Sequence, residues 1–158
     1  RWPEAQLALG KLYCVRIAAP TIPYDPRQCG QWMSEALKNS AFSSSAEKNT
    51  MAEQVGRDWF DLLVQGYDYR TGQHTGRTAD EDFARALMPG LAAQKENYPG
   101  LALRLAITQI CYAQPVDRAA ARRTLQAVVS GFGKSSTAGE ARTLLAQIDA
   151  DDFSRCNR

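Results

Sequence analysis

Residues 4–36 read EAQLALGKLYCVRIAAPTIPYDPRQCGQWMSEA, and this stretch decides the fold. Its first third carries an apolar seam at the spacing by which a helix presents one face: Leu9, Leu12 and Tyr13. Its last third opens at Asp25-Pro26, where an acceptor side chain precedes a residue whose φ is already helical. The stretch therefore predicts two helices that are joined by a proline-rich loop and pack as an antiparallel pair.

Gly10 lies in the interior of the first of these helices. Glycine at such a position costs about 1 kcal/mol relative to alanine. Its presence is easiest to explain if a second backbone packs closely against the helix there, which supports the predicted pair.

Two further patterns indicate a repeat. Residues 5–13 (AQLALGKLY) have the alanine, leucine-glycine, tyrosine order of a repeat's first helix, and Trp32 and Ala36 fit its second helix, with Cys29 in place of the usual alanine. This stretch resembles a Sel-like repeat, a relative of the tetratricopeptide repeats, and residues 99–149 show a weaker tetratricopeptide-like pattern. The resemblance implies an all-α solenoid of a kind that generally binds proteins as a scaffold, adaptor or inhibitor.

The length of 158 residues and the helical periodicity predict one domain of about seven helices. Antiparallel helix pairs would stack into a short α-α superhelix, stapled by disulfides. The predicted parts are a Sel-like pair over 4–39, a central pair over 44–96 with a projecting loop at 68–77, tetratricopeptide-like helices over 97–149, and a tail over 150–158.

Capping signals set the expected helix boundaries. Three capping boxes predict helix starts at Ser44 with Glu47, Thr78 with Glu81, and Thr137 with Glu140. Asp80, Glu81 and Asp82 also resemble a metal-binding cluster, but acids are favourable in a first helical turn, which explains them without a metal. Proline removes a backbone hydrogen bond, so Pro89-Gly90 is expected to kink or end the fourth helix.

The helix expected from Ser44 to about Gly66 carries a broad apolar stripe, formed by Met51, Val55, Trp59, Leu62 and Leu63. Phe60 falls just beside this stripe. It is therefore a candidate contact with a neighbouring repeat or a partner protein. The alternative is that both aromatic residues simply belong to the core.

Residues 68–77 form the longest plainly irregular segment, rich in glycine and polar side chains. Long ordered loops without a role are uncommon, so this segment is a candidate binding loop, although an ordinary surface loop is the alternative. With Phe60, the predicted partner-binding residues are Tyr69, Arg70, His74 and Arg77.

The four cysteines allow three disulfide pairings. We favour Cys14 with Cys29, because the turn between the two helices brings these positions together, and Cys111 with Cys156, which would hold the polar tail. Paired cysteines indicate a periplasmic or secreted protein, whereas four buried free thiols would indicate a reducing compartment. A zinc site is disfavoured, because the chain has no Cys-x-x-Cys motif and one histidine.

A row of arginines, Arg118, Arg122 and Arg123, would meet either solvent or an acidic partner. The net charge of +2 argues against a dedicated nucleic-acid binder, and no apolar run approaches the roughly 18 residues of a membrane span. No paired nucleophile and base is visible, and no cofactor is predicted.

These observations favour a non-enzymatic protein-binding module of the bacterial envelope. Such a module would act as an adaptor, or as an inhibitor or immunity protein, on a secreted effector or an envelope component. The alternative is an enzyme or small-ligand-binding protein that uses a helical cleft.

Overall fold

The computed structural model describes residues 2–15, 22–39, 45–76 and 78–157, and 73% of them are helical. The elements are α1 (Pro3–Cys14), α2 (Pro26–Lys38), α3 (Ser45–Glu53), a π-helical segment (Gln54–Gln65), β1 (Tyr67–Asp68), β2 (Gln73–His74), α4 (Glu81–Gln94), α5 (Pro99–Cys111), α6 (Arg118–Gly131), α7 (Ser136–Asp149) and a 3-10 turn (Ser154–Asn157). The predicted all-α fold is confirmed, with seven α-helices in the described part of the chain. No helix within the described ranges combines the length and apolar character needed to cross a bilayer.

The chain divides into two compact units, Arg1–Gly90 and Leu91–Arg158. The single domain and its superhelical stacking stay predictions. The first unit contains α1, α2, α3, the π segment, the hairpin of β1 and β2, and most of α4. The second contains α5, α6, α7 and the C-terminal tail.

In the first unit, α1 and α2 pack as the predicted antiparallel pair. Cys14 at the end of α1 is bonded to Cys29 near the start of α2, with their Cα atoms 5.5 Å apart. One turn earlier in α1, a Cβ atom on Gly10 would lie 3.0 Å from the Met33 Cγ and 3.1 Å from the Cys29 carbonyl oxygen. Gly10 therefore marks a close helix approach, as its position in the sequence predicts.

The face that α1 buries differs from the predicted seam. Leu9 and Leu12 are exposed, so the prediction that they face the core is wrong. The buried residues of α1 are Pro3, Leu7, Gly10 and Cys14. The predicted and the observed residues both have helical spacing, so spacing alone does not determine which face is buried. Gly10 allows the backbone of α2 to approach, and Cys14 must reach Cys29, so the face that carries these two residues is buried.

Helix α4 crosses α2 at two glycines. A Cβ atom on Gly30 would lie 2.7 Å from the Phe83 carbonyl oxygen, and one on Gly90 would lie 2.6 Å from the Ser34 Cα. The helix continues through Pro89 to Gln94, so of the two predicted outcomes, a kink or an end at this proline, the end is wrong. Tertiary packing overrides the helix-breaking tendency of proline here, because Gly90, the next residue, is held in the buried crossing with α2.

The predicted helix starts are partly correct. Asp25 caps α2 as predicted, and Asp117 caps α6 in the same way. Each accepts a hydrogen bond from the amide three residues later, at 3.0 and 2.8 Å. The two described capping boxes are wrong by two residues. Asp80 caps α4 in place of Thr78, and Ser135 caps α7 in place of Thr137. Ser44, the cap of the remaining box, lies outside the described residues.

The acids at the start of α4 have structural partners. Asp80 accepts from the Phe83 amide at 3.3 Å and from the Tyr24 hydroxyl at 2.7 Å. Glu81 and Asp82 pair with Arg85 at 3.1 and 2.9 Å. The hydrogen bond that Arg85 donates to Asp82, followed by the one that it donates to Glu81, raises the pKa of Arg85. The first turn of α4 thus uses all three acids to cap and brace the helix.

The second unit is an antiparallel arrangement of α5, α6 and α7. Eight of the thirteen residues of α5 are buried, so this helix is apolar on more than one face. The Asp117 amide donates to the Gln109 carbonyl at 3.0 Å and joins the end of α5 to the start of α6. Arg142 donates to the Gly133 carbonyl at 3.0 Å across the turn between α6 and α7.

The C-terminal tail is fixed to this unit. The predicted disulfide between Cys111 and Cys156 is present, with Cα atoms 5.1 Å apart. Arg118 and Arg122 of α6 pair with Asp151 and Asp149 at 2.8 and 2.6 Å. Two members of the arginine row are therefore neutralised by acids of the same chain.

The tail also ends in an ordered turn. The Ser154 amide donates to Asp152 at 3.1 Å, and this hydrogen bond lowers the pKa of the Asp152 carboxyl. The Phe153 ring lies 4.0 Å from the Arg118 guanidinium carbon, close enough for a cation–π contact.

Candidate functional site

The π segment determines which aromatic side chain reaches the surface. In an α-helix, Val55 and Trp59 would share a face, whereas hydrogen bonds from i to i+5 place Val55 and Phe60 together. Accordingly, Val55, Phe60 and Val64 are buried, and Trp59 is partly exposed. The prediction that Phe60 contacts a partner is wrong, because its side chain is fully buried.

The segment predicted to be an irregular loop forms a β-hairpin. Tyr67 pairs with His74 and Asp68 with Gln73 in an antiparallel register. The base of the hairpin is fixed by a hydrogen bond from the Thr75 amide to the Gly66 carbonyl at 2.7 Å. These bonds orient the loop that joins the strands.

The loop of the hairpin carries an aromatic cluster. The rings of Tyr67 and Tyr69 meet edge to face, with centroids 4.6 Å apart. The Arg57 guanidinium lies 5.6 Å from the centroid of the Tyr69 ring, which links the hairpin to the π segment. Tyr69 is nevertheless 49% exposed, so it is both held in place and available for contact.

The predicted partner-binding residues are not all brought together. Tyr69 and Arg70 share one groove. His74 is exposed and packs against the Tyr67 ring at a centroid distance of 5.1 Å, outside the groove lining. Arg77 lies outside the described residues.

This groove, which we call the hairpin groove, lies between the end of α1, the π segment and the hairpin loop. It has a volume of about 840 Å³ and belongs entirely to the first unit. Its lining comprises Lys11, Cys14, Val15, Gln54, Arg57, Asp58, Trp59, Leu62, Asp68, Tyr69 and Arg70. The volume lies within the range of 300–1,000 Å³ that is usual for ligand sites.

Charged side chains surround the groove, and the acids among them are engaged. Asp58 pairs with Arg57 at 3.3 Å. Asp68 accepts a hydrogen bond from the Arg70 amide at 2.9 Å and lies 3.8 Å from that residue's guanidinium. Lys11 donates to the neutral Gln54 side chain at 2.7 Å. The groove thus holds three cations and two acids, and one cation is bonded to a neutral amide.

Several groove residues could not be identified from the sequence. Trp59 and Leu62 belong to the predicted buried stripe, and they face the groove because the π segment changes the helical register. Lys11 is 43 positions away from Gln54, so only the tertiary fold brings the two together. The glycine-rich hairpin was the one local indication of this site.

A second groove lies in the other unit, between α5 and α6, with a volume of about 440 Å³. Its walls are mostly small and apolar, and Thr124 and Gln109 form a 3.4 Å hydrogen bond there. Arg123, the third member of the arginine row, lines this groove.

Comparison of the chain with family models, curated proteins and solved structures finds no match. Among the residues that the structure describes, no group of three or more histidine, cysteine, aspartate or glutamate side chains is arranged to hold a metal ion.

Proposed function

We propose that this protein is a non-enzymatic protein-binding module of the bacterial envelope and that it binds its partner through the hairpin groove. The observation that carries the proposal is the half-exposed Tyr69 at the mouth of the groove, fixed by contacts with Tyr67 and Arg57. Rigid aromatic side chains with a polar end are typical anchors of protein interfaces. Acting as an adaptor or as an inhibitor of a secreted effector is consistent with such a surface.

The chemistry of the groove supports binding in preference to catalysis. Asp58 pairs with Arg57 and Asp68 accepts a hydrogen bond from the Arg70 amide, and among the residues that the structure describes neither acid is paired with a nucleophile or with His74. General acid–base catalysis requires such a pair within hydrogen-bonding reach of the reacting group. The same engaged acids are well suited to hold the side chains of a recognition surface in place.

The disulfides support an envelope or secreted location. Both Cys14–Cys29 and Cys111–Cys156 are formed in the structure. Bonds of this kind persist in oxidising compartments, such as the periplasm or the exterior of the cell.

A pull-down from envelope extract tests the proposal, with Tyr69→Ser compared to Val116→Ser. The two residues are similarly exposed, at 49% and 46%, but Val116 lies in the other unit. We expect the wild type and Val116→Ser to capture the same stoichiometric protein, and Tyr69→Ser to bind it about tenfold more weakly. Equal capture by Tyr69→Ser, or no partner at all, would contradict the proposal.

Binding of a small ligand in a helical cleft is the second candidate function. The groove between α5 and α6 favours it, because apolar walls with a few polar groups are characteristic of such sites. Under this alternative, a small molecule would raise the melting temperature of the wild type and have a smaller effect on Arg123→Gln.

A further inference from the structure

We propose that the hairpin groove recognises an acidic segment of its partner in which carboxylates alternate with apolar side chains. This inference rests on the proposed function and specifies the chemistry of the bound segment. It is carried by the excess of hydrogen-bond donors over acceptors around the groove and by the apolar wall beside them.

The donors exceed the acceptors because the acids have internal partners. The Lys11 ammonium has three N–H donors and gives one to Gln54 at 2.7 Å. The Arg70 side chain is 89% exposed, and its nearest acid oxygen is 3.8 Å away, so its guanidinium is free to turn toward a ligand. Arg57 uses its Nε atom on Asp58, which leaves its terminal nitrogens available.

An occupant must supply acceptors to these groups. Carboxylates fit best, because charge-assisted hydrogen bonds to guanidinium and ammonium groups are about twice as strong as neutral ones. A basic segment would instead face three cations and two acids that already have partners, since Asp58 pairs with Arg57 and Asp68 accepts a hydrogen bond from the Arg70 amide. Charge complementarity therefore selects an acidic partner.

The apolar wall defines the second part of the recognised segment. Trp59 and Leu62 of the π segment and Val15 after α1 line the same groove as the cations. Trp59 and Leu62 are only partly buried, so an apolar side chain placed against them would remove further apolar surface from water. In a peptide with polyproline II conformation, which has three residues per turn, neighbouring side chains point about 120° apart, so a carboxylate and the apolar side chain next to it can both reach into the groove.

A continuous polyanion fits less well. Asp58 and Asp68 lie in the lining, where they would repel closely spaced phosphates. The chain as a whole has a net charge of only +2. A single-stranded oligonucleotide is therefore a suitable probe for the alternative, that the groove binds a polyanion.

Fluorescence anisotropy on the intact, disulfide-bonded chain tests the inference with four labelled probes. Three are eight-residue peptides in which leucine alternates with glutamate, glutamine or lysine, and the fourth is an oligothymidylate of eight nucleotides. We expect the glutamate peptide to bind most tightly and to weaken as salt is raised. Equal binding of the three peptides, or tighter binding of the lysine peptide or the oligonucleotide, would overturn the inference.

Matched charge removals locate the binding. Arg70→Gln and Lys11→Gln should each weaken binding of the glutamate peptide about threefold, which is within the usual range for an exposed ion pair. Arg142→Gln and Lys134→Gln remove the same charges from exposed positions in the other unit, outside both grooves, and should leave the affinity unchanged. Because Arg70 is so exposed, its substitution tests the inference even if Lys11→Gln perturbs folding. Equal losses in the two controls would show that only net charge matters, and would contradict the inference.

A photo-crosslinking amino acid at position 69 separates this inference from the proposed function. Crosslinking to an acidic segment of a partner protein supports both. Crosslinking to a basic or neutral segment supports the proposed function and refutes the inference. The absence of any crosslinked protein refutes the proposed function. In that case the preference of the groove for an acidic segment is decided by the anisotropy measurements alone.

Discussion

At Gly90 the backbone of α4 lies so close to α2 that a Cβ atom would stand 2.6 Å from the Ser34 Cα and 2.8 Å from its carbonyl oxygen. Both of these atoms belong to the backbone, which cannot move aside as the end of a long side chain can. The helix crossing therefore depends on the absence of a side chain at this residue.

Gly90→Ala is expected to destabilise the first unit by about 1–3 kcal/mol, the usual cost of overpacking a well-packed crossing. Urea unfolding followed by tryptophan fluorescence measures this directly, because Trp2, Trp32 and Trp59, the three tryptophans of the chain, all lie in that unit. The effect should appear as a lower urea midpoint.

Gly139→Ala is the matched control, since Gly139 is also helical but has no atom within 4 Å of its Cβ position. Alanine there should raise the free energy of unfolding by up to about 1 kcal/mol, as measured by circular dichroism, because it favours the helix and meets nothing. If the two substitutions had the same effect, the close approach of α2 and α4 would be incorrect.

Among the structural elements, the π segment has the largest consequence for the surface. It moves Phe60 into the core and Trp59 to the hairpin groove. Without this change of register the groove would lose an aromatic wall. An irregularity in one helix therefore contributes to the candidate binding site, as π-helical segments often do.

Phe60→Ala is expected to cost about 3–5 kcal/mol, the range for removing a large buried aromatic side chain. Trp59→Ala should cost clearly less, because its side chain is only partly buried. Circular dichroism during urea unfolding compares the two without relying on Trp59 fluorescence. A regular α-helix through residues 54–65 would reverse the order, and that result would exclude the π-helical register.

At this scale, the sequence predicts helices better than it predicts their faces and ends. Asp25-Pro26 and Asp117 mark true starts because each combines an acceptor with a nearby break in periodicity. Thr78 was a plausible cap, but Asp80 stands directly before the helix and also binds Tyr24, a contact that only the fold provides. Periodicity likewise could not choose the buried face of α1, although Gly10 and Cys14 together indicated it.

For the whole molecule, each compact unit contains one disulfide. Cys14–Cys29 closes a ring across a sequence separation of 15 in the first unit, and Cys111–Cys156 closes one across a separation of 45 in the second. Both pairings could be predicted. The turn between α1 and α2 brings Cys14 close to Cys29, and the remaining pair, Cys111 with Cys156, holds the polar tail. The hairpin groove could not, since its walls come from three distant parts of the first unit.

Replacing each cysteine pair by serine should therefore affect the two units differently. In the chain-entropy model, loss of the shorter ring costs about 3 kcal/mol and loss of the longer ring about 4 kcal/mol. Tryptophan fluorescence reports only the first unit, so Cys14→Ser with Cys29→Ser should lower its urea midpoint more than Cys111→Ser with Cys156→Ser does. Circular dichroism, which reports helices in both units, should show a loss for either double variant. If the fluorescence midpoint fell more in the Cys111→Ser, Cys156→Ser variant, the Cys14–Cys29 bond would not be what stabilises the first unit. If the four cysteines of the unreduced wild type could be alkylated, neither disulfide would be present.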